Sequence, residues 1–380
     1  MKLIQVVEYE EISKDDTGEK FFKELEEFAQ NNPSFISYSK SGKLKPQQYV
    51  GVIQTKSGML EIYPKIAEVD KEESKIIFLK MLKTLKDHPF KDIHFSDLDI
   101  KKMPLLEIFI GMFLSEVGKI IKKGIKNDYI LKRENQTFLK GKLLVSEHIR
   151  KNYIHKEKFY VEYDEYLPDI KVNRIIKSAL IKLLKLSKNF KNQRLIREYL
   201  FVFDDVKECI DLSSRYILNR QINHYKTALL WAEVFLKNNT FISYSGKNKA
   251  FALLFDMNRL FESFVGEFFK RRCKNTKLQN KKFKLFENEE KFALIPDIVI
   301  NENIIFDTKW KIINEKGDIS QADLYQMYVY LTKYKAKRGY LIYPFTKNTK
   351  LYKFKTKICE KNAMIKIIYF DLKKEKIISL

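Results

Sequence analysis

Between Ile295 and Lys309 the sequence reads Ile-Pro-Asp-Ile-Val-Ile-Asn-Glu-Asn-Ile-Ile-Phe-Asp-Thr-Lys, an acidic residue, an apolar hairpin and then Asp-x-Lys. Asp297 follows a proline inside the apolar run 292–300, while Asp307 and Lys309 end a second run that begins at Ile304. Both runs have the pattern of strands joined as a hairpin. Side chains alternate faces along a strand, so Asp307 and Lys309 project from one face, and two carboxylates and an amine converge. Such a set suits metal-dependent hydrolysis of a phosphodiester. Magnesium takes hard oxygen ligands and keeps several waters, so one or two carboxylates plus a substrate phosphate are enough to hold it. Asp297 and Asp307 are the expected ligands, with the backbone carbonyl of Thr308. A metal held there polarises the phosphate and stabilises charge on the entering and leaving oxygens. Lys309 is expected to orient or help deprotonate the attacking water and to offset charge building on the phosphate.

The elements around this segment must position it. Downstream, Asp323-Leu-Tyr-Gln-Met-Tyr-Val-Tyr330 has a helical pattern that sets Gln326 and Tyr330 on one face, where they can brace the site. Upstream, 256–272 reads as an amphipathic helix with Leu260, Phe261, Phe264, Val265, Phe268 and Phe269 on one side. Glu262 lies at the edge of that stripe and is expected as an extra ligand or a supporting group. Taken alone, Asp-x-Lys could mark a solvated strand end with an incidental ion pair. The order helix Glu, strand Asp, strand Asp-x-Lys, helix Gln-x-x-x-Tyr favours a nuclease.

The rest of the chain reads coarsely as an acidic helix near 19–30, strands at 49–54 and 59–66, and helices at 75–86 and 105–123. Strand-like pieces follow over 129–145, then helices over 172–187 and 222–236. The C-terminal part continues with a helix over 320–334 and strands at 339–344 and 364–370, a mixed sheet flanked by helices with the site at a strand edge. No motif is assigned to the first 50 residues or to the tail after Pro344.

At this point a resemblance can be stated. The C-terminal part resembles the PD-(D/E)xK nuclease superfamily, and the chain as a whole resembles the McrC family, the nuclease subunit of McrBC-type 5-methylcytosine restriction systems. Besides Asp307-Thr-Lys309 and Leu260-Phe-Glu-Ser-Phe-Val, it rests on Leu60-Glu-Ile-Tyr-Pro-Lys-Ile66 and on Tyr166-Leu-Pro-Asp-Ile-Lys-Val-Asn173-Arg174. It implies an α+β, multidomain chain: a strand-rich N-terminal arm domain (1–160) docking to a partner ring, a helical connecting region (161–250) and a PD-(D/E)xK nuclease domain (251–380). It further implies that a McrB-like AAA+ ring binds and hydrolyses GTP, reads DNA and translocates. The present chain would insert an arm that includes Leu60–Ile66 into the ring pore, stimulate hydrolysis and cut.

Composition agrees. Lys and Arg number 72 against 49 Asp and Glu, a net charge of +23, which favours phosphate contact. Lys270, Arg271, Arg272, Lys274, Lys277, Lys281, Lys282 and Lys284 cluster between the Glu262 helix and Asp297, and are expected to touch DNA; the Lys-rich stretches 119–142 and 347–376 are expected to be plain surface. The opening Met1-Lys-Leu-Ile-Gln-Val-Val-Glu8 has no long apolar region and no run approaches a membrane span, so a cytoplasmic chain without membrane contact is expected. Cys209, Cys273 and Cys359 lack paired spacing, and His88, His94, His148, His155 and His224 form no ligand pair. Gly42-Lys43 and Gly246-Lys247 lack the rest of a P-loop, so nucleotide hydrolysis belongs to a partner. Two alternatives remain open: a stand-alone PD-(D/E)xK nuclease of repair or mobile-element defence, and a non-catalytic DNA-binding adaptor of an AAA+ ring.

Overall fold

The structure is a computed structural model that describes residues 2–66, 69–86, 89–92, 102–209, 220, 222–236, 250–286, 289, 291–313, 315–346, 349–358 and 361–378. His88, His94, Cys359 and Gly246-Lys247 lie outside the described residues. The chain forms two compact units, Met1–Leu105 together with Thr240–Leu380, and Leu106–Asn239. This grouping differs from the three consecutive domains expected, because the ends of the chain share a sheet.

The first unit opens with β1 (Lys2–Val7), α1 (Lys14–Thr17), α2 (Glu19–Asn31), β2 (Ile36–Tyr38), β3 (Leu44–Pro46), β4 (Tyr49–Gln54), β5 (Gly58–Tyr63) and α3 (Lys71–Leu82). Phe21, Phe22, Leu25, Phe28 and Ala29 recur at helical spacing along α2 and are all buried. Strand β5 pairs in parallel with β1 and antiparallel with β4. Every residue of β5 is buried, including Glu61. The Glu61 carboxylate accepts from Gln5 Nε2 at 3.1 Å, from the Tyr63 hydroxyl and from the Leu105 backbone N–H. Pro64 then ends the strand. Leu60–Tyr63 of the motif therefore lie in a central strand of a core sheet, and the expectation that this strand inserts into a partner's pore is corrected: its side chains are buried and both its edges are paired.

The second unit contains α4 (Leu105–Lys123), β6 (Asp128–Gln136), β7 (Lys142–Leu143), α5 (Val145–Lys151), β8 (Phe159–Leu167), α6 (Lys171–Leu186), α7 (Phe190–Val202) and α8 (Lys226–Leu236). Strands β6 and β8 pair antiparallel from Asp128↔Leu167 to Gln136↔Phe159, with β7 on the other side of β8. The sheet and the loop between α5 and β8 leave apolar side chains in water: Tyr129 of β6 is 71% exposed, and Tyr153 and Ile154 of the loop 80% and 83%. Asn173 and Arg174, in the second resembling motif, are structural. Asn173 Nδ2 donates to the carbonyls of Lys126 (2.9 Å) and Pro168 (2.7 Å), and Arg174 grips Asp169 with two 2.7 Å bonds. His148 stacks on Phe159 and pairs with Asn152, which leaves it a structural role.

The chain then returns to the first unit through β9 (Phe251–Asp256), which pairs antiparallel with β4 and completes a sheet in the order β1-β5-β4-β9. There follow α9 (Met257–Arg272), β10 (Thr276–Leu278), β11 (Phe283–Lys284), β12 (Ala293–Leu294), β13 (Ile298–Ile300), β14 (Ile304–Thr308), α10 (Gln321–Tyr334), β15 (Arg338–Pro344), β16 (Tyr352–Ile358), β17 (Lys361–Asp371) and β18 (Lys376–Ile378). A seven-stranded mixed sheet runs β10-β13-β14-β15-β17-β16, with β18 also on β17. Strands β14, β15 and β17 are mutually parallel. The run 292–300 is thus broken into β12 and β13, because Pro296 has no N–H to give a ladder. The Lys-rich tail is no plain surface either: Ile365, Ile367, Tyr369 and Phe370 of β17 are buried. Among the described residues no helix is long and apolar enough to cross a membrane.

Strand β14 alternates between two layers. Ile305 packs with Met327 and Leu331 of α10 in the apolar core, and Phe306 lies 4.5 Å, centroid to centroid, from Phe269 of α9. Burying side chains of this size contributes roughly 1.5–3 kcal/mol each, so the register of β14 is held from both faces.

Gly51 tests the joined sheet. Its φ is +138°, and a Cβ there would lie 2.1 Å from the Leu253 carbonyl oxygen on β9. Gly51→Ala is expected to destabilise the chain by at least ~2 kcal/mol in denaturant unfolding, through clash and strain combined. A change within ~0.5 kcal/mol, the usual size for an unconstrained site, would contradict the pairing of β4 with β9.

Candidate active site

The site lies at the carboxyl end of β14, where an open sheet offers a crevice for ligands. This strand is interior, between β13 and β15, and the site sits at its end. A three-residue turn with Asn301 and Glu302 at φ 49° and 56° folds β13 back onto β14 and pairs Ile298 with Phe306. That register brings Asp297, one residue before β13, beside Thr308. The Thr308 N–H and Oγ1 both donate to Asp297 Oδ2 at 2.7 Å. Thr308, expected only for its carbonyl, therefore also fixes one carboxylate.

Asp307 and Lys309 share a face as expected, with Lys309 Nζ 2.7 Å from Asp307 Oδ2. This short charged contact favours the ionised form of both groups. Lys309 Nζ also donates to Gln326 Oε1 at 2.9 Å; Gln326 Nε2 donates to the Tyr330 hydroxyl at 3.0 Å, and that hydroxyl to the Ile295 carbonyl at 3.2 Å. The helix pair predicted from i, i+4 spacing is thus a relay from Lys309 back to the segment that carries Asp297. Glu262, half-buried on α9, accepts from Gln279 Nε2 at 2.8 Å.

Burial dominates the electrostatics. It raises Asp307 to about 7, with the Asp297 charge adding and Lys309 opposing. It raises Asp297 to about 6, with Glu262 adding and the two Thr308 bonds opposing. Glu262 is also pushed up by burial, against its Gln279 bond. For Lys309 burial disfavours the charge, but Asp307, Asp323 and Asp297 outweigh it and raise the pKa. Lys309 is therefore an ammonium, with donors and no lone pair. In this form it can orient water and offset negative charge.

Among the described residues no group of three or more His, Cys, Asp or Glu side chains closes into a metal cage. A hard cation that keeps most of its waters needs no such cage. Two buried carboxylates, both raised in pKa and facing one ammonium between them, are what a site short of one positive charge looks like. The donor set fits such an ion.

Sequence reasoning missed Asp323. Its carboxylate is buried, accepts from Lys311 Nζ at 3.1 Å and from the Tyr343 hydroxyl at 3.2 Å, and lies 4.0 Å from Lys309 Nζ. Its i, i+3 spacing to Gln326 was a legible signal. Glu8 was also missed: fully buried at the end of β1, it accepts from the Trp310 indole N–H at 3.0 Å, next to Lys309, and burial raises it to about 7. The expected DNA-contacting cluster is spread over the end of α9 and the loops beyond it, and part of it is neutralised. Lys277 and Lys282 each hold Glu302 at 2.9 Å, Arg271 pairs with Glu267 at 3.0 Å, and Arg272 lies 3.9 Å from the Phe268 ring centroid. Lys270, Lys274, Lys281 and Lys284 are exposed.

A family model described as McrBC 5-methylcytosine restriction system component matches residues 44–344. No curated protein matches the chain. Among solved structures it is similar to a refined half-complex of Thermococcus gammatolerans McrB AAA+ hexamers with bound McrC, with TM-score 0.71 and 21% identity over 99% of this chain and 97% of that one. It is also similar to a chain of the Thermococcus gammatolerans McrBC complex solved by cryo-EM, with TM-score 0.52 and 23% identity over 71% of this chain and 88% of that one. At such identity the likeness speaks for the fold.

Carboxyls raised in the folded state bind more protons there than in the unfolded chain, where Asp titrates near ~3.9. Their contribution to stability is full below that value and is lost as pH rises through about 6 and 7, the folded values of Asp297 and Asp307. The metal-free chain is expected to lose thermal stability between pH 5 and pH 8, with Asp297, Asp307 and Glu8 all contributing, and Asp307→Asn to remove a share of that loss. Melting curves of both proteins across this range check it; equal pH slopes would contradict the shared buried charge.

Proposed function

The chain belongs to the family of McrBC 5-methylcytosine restriction system components, and on that premise we propose that it is the magnesium-dependent DNA endonuclease subunit of such a system, working in the cytoplasm with a McrB-like AAA+ GTPase ring. The observation that carries this reading is the convergence of Asp297, Asp307 and Lys309 at the end of β14 with Gln326 and Tyr330 behind them. Asp297 and Asp307, the Thr308 carbonyl and Glu262 would hold the ion. Bound Mg2+ supplies charge stabilisation at the scissile phosphate. Lys309, kept charged by its carboxylate neighbours, donates toward the phosphate oxygens as negative charge grows on them. Gln326 holds its Nζ in place, and Thr308 keeps Asp297 from turning away.

The partner reading has separate support. No P-loop occurs in the sequence, so GTP would be bound by the ring. In the second unit the sheet β6-β8-β7 with α5 and the loop after it exposes Tyr129, Leu131, Tyr153, Ile154 and Tyr166, more apolar surface than a small sheet leaves in water without use. We assign ring contact to this sheet, in place of Leu60–Ile66.

A plasmid-cleavage assay with Mg2+, GTP and the neighbouring AAA+ protein tests the proposal. Asp307→Ala and Lys309→Ala are each expected to lower cutting by about a hundredfold or more. Tyr153→Ser with Ile154→Ser is expected to lower stimulation of GTP hydrolysis while leaving the unfolding midpoint unchanged. Undiminished cutting by Asp307→Ala would refute the site, and efficient cutting without partner or nucleotide would favour a stand-alone nuclease.

A further inference from the structure

The Lys-rich tail carries a second face besides the one it buries. Along β16 the sequence Tyr-Lys-Phe-Lys-Thr-Lys-Ile sets every lysine on one side of the sheet. Lys353, Lys355 and Lys357 are exposed there, whereas Tyr352 and Phe354 pack against the apolar core on the other side. Register carries the basic face across the neighbouring strands. Lys366 of β17 stands opposite Lys353, and Arg338 of β15 is level with Met364, which stands opposite Lys355. Arg338 is exposed and Lys366 half-buried. None of the paired residues on this side of β15, β17 and β16 is acidic, and among the described residues no carboxylate pairs with any of the five cations.

Lysines on an edge strand have an ordinary use, since they keep another chain from pairing with it, and β16 is an edge. That use does not extend to Lys366 and Arg338, which belong to the interior strands β17 and β15. Like charges directly opposite each other also destabilise an antiparallel pair, and Lys353 faces Lys366 with no acid between them. A sheet face that keeps such a pair is suited to a polyanion lying over it. We propose that Lys353, Lys355, Lys357, Lys366 and Arg338 form a second contact for the DNA backbone, away from the cut. This rests on the nuclease reading above, which supplies the polyanion. Helix α9, which carries Glu262, lies on the same side of the sheet, because Phe269 packs on Phe306 and Phe306 stacks on Tyr340 at 4.8 Å. Three strand spacings separate β14 from β16, about 14 Å, or the rise of about four base pairs. Contacts of this kind hold a duplex by its phosphates and read no bases.

The test is equilibrium binding of a short DNA duplex by the full chain, without divalent metal so that nothing is cut, from about 50 to about 200 mM salt. The triple variant Lys353→Gln, Lys355→Gln, Lys357→Gln is expected to reduce the slope of log K against log salt by about one for each lysine, equally for unrelated sequences. The same three positions changed to Arg, which keeps the charge, are expected to retain the wild-type slope. Lys20→Gln with Lys40→Gln and Lys56→Gln removes as much charge from exposed positions of the N-terminal segment, and is expected to leave the slope as it is. A slope unchanged by the β16 triple variant would overturn the proposal. So would an equal loss in the N-terminal triple variant, which would reduce the effect to net charge, or weaker binding of the β16 variant to the AAA+ protein with DNA binding intact, which would assign the face to that partner. The nuclease reading is judged apart, by whether Asp307→Ala abolishes cutting in the complete system, so either idea can fail while the other stands.

Discussion

Two carboxylates and one ammonium, held together where water is scarce, are the constraint that the C-terminal half of this chain answers to. Removing an ion from water costs several kcal/mol even after relaxation, and a pair recovers this only with good geometry and further hydrogen bonds. The fold supplies those bonds unevenly. Asp297 receives two from Thr308, and Lys309 is engaged by Gln326. Asp307 has only its short contact with Lys309. Burial without full compensation leaves the carboxyls inclined to hold protons near neutrality, and a cation entering the crevice would displace those protons.

Rigid placement comes from three directions. Strand β14 is pinned through Ile305 on one face and Phe306 on the other, so the residues at its end have little freedom. Helix α10 closes the relay from Lys309 to the Ile295 carbonyl and so couples both arms of the hairpin. From the N-terminal sheet, Glu8 takes the Trp310 indole N–H and also the Lys65 N–H. The Leu60–Ile66 motif is in this way connected to the residue after Lys309. Its Glu61 and the Asn173-Arg174 pair both serve as internal staples, each satisfying backbone groups that burial would otherwise leave unpaired.

Much of the site was legible because its residues lie close in sequence and follow strand and helix periods. Asp307 and Lys309 obey the two-residue alternation of β14, and Gln326 and Tyr330 the i, i+4 spacing of α10. Glu262 could be placed by the phase of its helix. What could not be read depends on pairing between distant segments. Nothing local tells that β9 joins β4, and so that segments from the two ends of the chain form one unit. Local pattern is equally silent on Glu8, which meets Trp310 across 302 positions. The pairing inside the basic cluster was hidden for a related reason: counting Lys residues does not show that Glu302, in the hairpin turn, reaches back to two of them. In the tail the strand over 364–370 was legible, while the lysines around it hid how much of the stretch the sheet buries.

The central claim is that Asp297 and Asp307 form a cation site whose occupancy is tied to their protons. Calorimetric titration of the full chain with Mg2+, run at several pH values in buffers of different ionisation enthalpy, measures binding and proton release together. The account predicts saturable binding, with close to one proton released near pH 6 and the release fading above pH 8, and loss of both in Asp307→Asn. Binding with no proton release, or binding that Asp307→Asn leaves unchanged, would contradict it.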